Sequence, residues 1–89
     1  MPSMQRINEN RTFQTDDLHL AAYLMTCGLT LWATDAHRPQ RVEFILIPQP
    51  HSEDLAAYTE GRAVANISEF GRALRRVKRA VHKVRGGPR

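Results

Sequence analysis

Residues 67–85 read Ile67-Ser-Glu-Phe-Gly-Arg-Ala-Leu-Arg-Arg-Val-Lys-Arg-Ala-Val-His-Lys-Val-Arg85, and this stretch decides the fold. Its apolar residues Ile67, Phe70, Leu74, Val77, Val81 and Val84 recur at steps of 3, 4, 3, 4 and 3. That is one face of an α-helix, whose period is 3.6 residues. Gly86-Gly87-Pro88 supplies the stop, because glycine takes left-handed backbone and proline cannot continue a helix. Asn66 or Ser68 supplies the cap, through a side-chain oxygen that accepts from the unpaired N–H groups of the first turn. A stripe of this length needs an apolar surface to lie on.

The middle of the chain provides one. Leu29, Leu31 and Ala33 alternate with Thr30, Trp32 and Thr34, and Val42, Phe44 and Leu46 share one side of the run Arg41–Ile47. Such period-two patterns predict strands. Asp35-Ala-His-Arg-Pro-Gln40 between them reads as the turn of a hairpin 29–34/41–47. Pairing Thr34 with Arg41 places Leu31 across from Phe44 and Trp32 across from Glu43, so the aliphatic faces coincide. Ile45 and Ile47 add apolar surface to the second face. Pro48 and Pro50 end the strand, since proline donates no ladder hydrogen bond.

Upstream, Arg11-Thr-Phe-Gln14 forms a short edge strand. Thr15 then caps a helix over 16–27, with Asp16 and Asp17 in its first turn, Leu18, Ala21, Ala22 and Met25 at helical spacing, and Gly28 as its stop. Downstream, Ser52 caps a short helix 53–60 that begins with Glu53 and Asp54 and ends at Gly61, with Leu55 and Tyr58 facing the core. Arg62–Ala65 reads as one more short strand. The expected fold is α/β of the α+β type: a small two-layer domain in which a short, mainly antiparallel sheet is packed by helices 16–27 and 67–85. The domain covers 11–85, between a flexible tail 1–10 and a basic tail 86–89.

Three stretches carry a resemblance: Thr15-Asp-Asp-Leu-His-Leu-Ala-Ala-Tyr-Leu24 with Gly28, Arg41-Val-Glu-Phe44, and Gly61 through Leu74 leading into Lys78. Their order over roughly residues 12–84 resembles a family of small bacterial and phage domains of unknown function. The shared motifs are structural: a cap, a glycine stop, a strand and a helix stripe. The resemblance implies a compact α/β fold and no catalytic residues, and the arginine density late in this chain exceeds what it implies.

Size and charge narrow the function. An 89-residue chain buries about 60–65% of its unfolded surface and leaves room for one modest core. The single cysteine, Cys27, forms no internal disulfide and fits a reducing, cytoplasmic setting. No apolar run approaches a membrane span, and Met1–Asn10 lacks the apolar core of a signal peptide. Residues 1–61 carry four arginines against eight acids, a charge of −4, while residues 62–89 carry nine cations against Glu69 alone, a charge of +8.

Those cations are the leading candidate site. Arg72, Arg76, Arg79 and Lys83 line one flank of the helical stripe; Arg75, Lys78, His82 and Arg85 line the other. Guanidinium forks match phosphate oxygens, and a row of them tracks a nucleic-acid backbone by releasing counterions. A solvated face is the plain alternative, since cations also complement the negative end of a helix dipole. A face built only for solvation usually interleaves acids at i,i+4, and Glu69 is the only acid here. The helix has no asparagine or glutamine for base readout. Trp32 is a candidate for base stacking, though packing under another element, or across a dimer contact, is the reading preferred for it. Tyr23 and Tyr58 read as core-edge residues.

Other chemistry lacks a motif. Asp16, Asp17 and His19 could hold a divalent ion, but helix capping accounts for them. Four dispersed histidines and one cysteine do not make a zinc site. Cys27 reads as a buried, inert thiol, and Glu43 is followed by Ile45 where a metal-dependent nuclease places a lysine. There is no phosphate-binding glycine loop and no dinucleotide fingerprint. The expectation is a non-catalytic module without cofactor or metal that binds DNA or RNA through Arg72, Arg75, Arg76, Arg79, Lys83 and Arg85. The alternative is an interaction module: an accessory subunit, an inhibitor or a homo-oligomer.

Overall fold

The structure, a computed structural model, describes the backbone of residues 12–38 and 41–86, and their side chains other than those of His37, Arg38 and Arg85. The elements run β1 (Phe13–Thr15), α1 (Leu18–Thr26), β2 (Thr30–Arg38), β3 (Arg41–Ile47), α2 (Ser52–Thr59) and α3 (Ile67–Val81), and α3 widens into a π-helical turn, His82–Gly86. This is an α+β domain. Its sheet is antiparallel in the order β1-β3-β2, so β3 is central and β2 is an edge. The tail expected at 1–10 lies outside the described residues, as do residues 87–89 of the tail expected at 86–89.

The core forms where the inner face of the sheet meets two helices. Val42, Phe44 and Leu46 of β3 cluster with Ala21, Ala22 and Leu24 of α1 and with Ala73 and Val77 of α3. Phe44, Leu24, Leu46 and Val77 are each less than 2% exposed. Burial of such a side chain contributes about 1.5–3 kcal/mol. Small Ala73, between the larger residues of the stripe, is also buried in this cluster. The ends of the stripe behave differently from its middle: Ile67 is 86% exposed and Val84 39%. The helix overruns the surface beneath it at both ends.

The hairpin register differs from the expected one. Leu31 pairs with Leu46, Thr34 with Phe44 and Arg38 with Arg41, and β2 absorbs two irregularities, between Leu31 and Ala33 and between Asp35 and Arg38. The expected turn at 35–40 contracts accordingly, because β2 continues through Arg38. At Leu31 the slip is two residues, from Phe44 to Leu46. An even slip keeps Leu31 on its expected face, and Leu31 still reaches the core. Past the irregularity the slip is three, so Ala33, expected beside Leu31, lies across from Ile45 instead, and Thr34 lies across from Phe44. Cross-strand pairing with β3 outweighs the turn propensity of Asp35-Ala-His-Arg38.

Helix ends explain the remaining differences. Thr15 is drawn into β1 by pairing with Phe44, so it does not cap α1; its Oγ1 accepts from the Asp17 N–H at 3.0 Å. Asp17 is the cap, with Oδ1 accepting from the N–H groups of His19 and Leu20 at 3.1 Å each. Both aspartates therefore precede the first turn. Both α1 and α2 close in a Schellman motif: Leu29 N–H reaches the Leu24 carbonyl at 3.1 Å, and Arg62 N–H reaches the Ala57 carbonyl at 2.8 Å. Gly28 and Gly61 take the positive φ, 112° and 79°, that these motifs need. The Arg62 bond keeps that N–H out of any ladder, and residues 62–66 form no strand. Ser52 is the first residue of α2 rather than its cap; His51 stands at the cap without a side-chain bond. Asn66 caps α3, its side chain accepting from Glu69 N–H at 3.0 Å.

Candidate nucleic-acid interface

Packing of α3 through Phe70, Ala73, Leu74, Val77 and Val81 leaves its charged positions facing outward. Arg72, Arg75, Arg76, Lys78, Arg79 and Lys83 are all exposed. Arg85 lies outside the residues whose side chains are described. The described ion pairs are Arg41 with Asp16 at 3.1 Å and Arg62 with Glu60 at 2.7 Å. Among the described residues, no ion pair engages a cation of α3. Spacing accounts for part of this: the position four beyond Glu69, where a helical ion pair is best placed, is Ala73. Arg72 and Lys83 are eleven residues apart, which is about 16 Å along a helix.

The 72/76 flank borders two adjoining depressions. Arg76 lines one with Met25, Leu29, Thr30 and Leu31. Arg72 and Arg76 line the other with Met25, Thr26, Glu69 and Ala73. The sequence does not foretell these neighbours, because they are set by how α3 crosses the α1–β2 junction.

Trp32 is 57% exposed. The expectation that another element of the chain covers it is overturned. It falls in the irregularity between Leu31 and Ala33, where β2 carries a residue without a partner on β3. On the outer face of the sheet, Ile45 and Ile47 are half-buried yet lie outside the core cluster of the described residues.

The acidic start of α1 is committed to structure. Asp16 holds Arg41, and Asp17 caps the helix while accepting from the Tyr58 hydroxyl at 3.0 and 3.2 Å. His19 stacks on Phe70 with ring centroids 6.5 Å apart. Among the described residues no three metal-ligating side chains come together. Tyr23 and Tyr58 stack at 5.9 Å. Tyr58 packs against the core as expected, whereas Tyr23, also expected at the core edge, is buried within it. Burial, and for Tyr58 the Asp17 carboxylate, hold both hydroxyls above their ordinary pKa. Cys27 is exposed rather than buried, since it stands at the C-cap of α1. Partial desolvation, with the nearby Asp54 carboxylate, pushes its thiol up against an opposing hydrogen bond from Tyr23. Less of it is thiolate at neutral pH, so it is a weak nucleophile.

No helix among the described residues is long and apolar enough to cross a membrane. Comparisons with protein-family models, with curated proteins and with solved structures each find no match, and they neither support nor overturn the resemblance noted above.

Proposed function

We propose that this protein is a non-catalytic module that binds the phosphate backbone of DNA or RNA through Arg72, Arg75, Arg76, Arg79, Lys83 and Arg85, and that it acts in the cytoplasm. One observation carries the reading: the described cations of α3 stand in water, and among the described residues no acid is paired to them. A row of about 16 Å matches nearly five base pairs of duplex axis at 3.4 Å each. With no base-reading amide on the helix, contact is to phosphate and carries little sequence preference. The test replaces Arg72, Arg76 and Arg79 with glutamate. Binding to a mixed-sequence oligonucleotide at low salt is lost while the circular dichroism spectrum is kept. Unchanged affinity in a folded variant refutes the reading.

A second reading rests on a different observation. Val64 and Ile67 are 85% and 86% exposed beside an apolar groove lined by Tyr23, Tyr58, Ala63, Ala65 and Phe70. A protein partner or a second copy that buried them would bind through apolar area. Such association survives high salt, whereas phosphate contact fades.

A further inference from the structure

We infer that the nucleic acid bound is single-stranded, with one base stacked on Trp32 while its backbone follows Arg72 and Arg76 to the free edge of the sheet. This rests on the phosphate-binding reading above and adds the form of the ligand. The two depressions on the 72/76 flank share Met25 and Arg76, and together they lead from Arg72 to Leu31. Leu31 is followed by Trp32, on the strand that forms one edge of the sheet. The basic groups therefore lead to the residue before an exposed indole, which itself lines neither depression.

The indole is what separates a single strand from a duplex. A duplex keeps its bases stacked on one another and presents phosphates outward, so a lone ring at a sheet edge gains nothing from it. A single strand offers unstacked bases, and an aromatic platform beside a cationic groove is how sequence-tolerant single-strand binders hold them. The acids of the outer face do not crowd this end. Asp35 pairs with Glu43 toward the hairpin end, three residues beyond Trp32, or about 10 Å along a strand. The register irregularity at Trp32 also spoils the ladder there, which disfavours addition of another protein strand to this stretch.

Trp32 is the only tryptophan of the chain, so intrinsic fluorescence reports on this one position. The experiment titrates the full chain with a mixed-sequence single strand of about 12 nucleotides, within the site sizes such grooves span, and in parallel with the corresponding duplex. Emission falls with the single strand and not with the duplex. Trp32→Ala weakens single-strand binding by about 5- to 150-fold, the range of one lost stack, and leaves duplex binding unchanged; Trp32→Phe restores part of the loss. Circular dichroism confirms that both variants fold. Unchanged emission with equal affinity of wild type and Trp32→Ala for the single strand overturns the stacking inference and leaves backbone binding standing. No binding of either nucleic acid at low salt overturns both.

Discussion

Asp17 carries more of the fold than any other polar side chain described. One carboxylate caps α1 through two backbone N–H groups and accepts the Tyr58 hydroxyl from α2, tying two elements that are distant in sequence. Loss of a cap costs about 0.5–2 kcal/mol, and loss of the hydroxyl's acceptor adds roughly another 1 kcal/mol. Asp17→Ala therefore destabilises the domain by about 1.5–3 kcal/mol in urea unfolding, whereas Asp17→Asn, which still caps, costs clearly less. In a double-mutant cycle with Tyr58→Phe the two losses are not additive. Additive losses would show that the 3.0 Å contact contributes nothing.

The α3 stripe divides into a packed middle and exposed ends. Val77 is fully buried and Ile67 is 86% exposed. Val77→Ala removes two methyl groups from a closed site and costs about 2 kcal/mol, while Ile67→Ala stays within about 0.5 kcal/mol. Chemical denaturation of the two variants checks this; equal costs would place Ile67 in the core. The split also shows what the sequence can carry. Local signals were legible: the two strands of the hairpin, the glycine stops at Gly28 and Gly61, the Asn66 cap and the face of α3 that packs. What depends on partners was not. Periodicity says which side of α3 is apolar, but the extent of the sheet beneath decides how much of that side is covered. Thr15 can serve a helix or a strand, and only pairing with Phe44 selects the strand. Trp32 across from Glu43 reads as a poor platform for an anionic ligand and so as a packed residue; an extra residue in β2, invisible before the register is known, puts Glu43 across from Asp35 and leaves Trp32 in water. The cations of α3 were legible as a group, and their neighbours Met25 and Leu31 were not.

At the scale of the molecule the decisive feature is the separation of charge. The acids lie in the first 61 residues, apart from Glu69, and several are engaged in caps and ion pairs there; the described cations of α3 face solvent. A neutral average would have balanced the helix with its own acids. The described acids leave this positive ridge unneutralised; on the reading proposed above, the phosphates of a polyanion neutralise it and release their condensed cations. The most direct test is the dependence of oligonucleotide affinity on salt between about 50 and 200 mM, measured for the full chain and for an Arg76→Ala, Arg79→Ala variant. With four or five phosphate contacts the log–log slope is about −2.8 to −3.5 on a single strand, or −3.6 to −4.5 on a duplex, and the variant's slope is shallower by about 1.4 or 1.8 respectively. Affinity that does not change with salt, or a slope identical in the variant, would contradict the account.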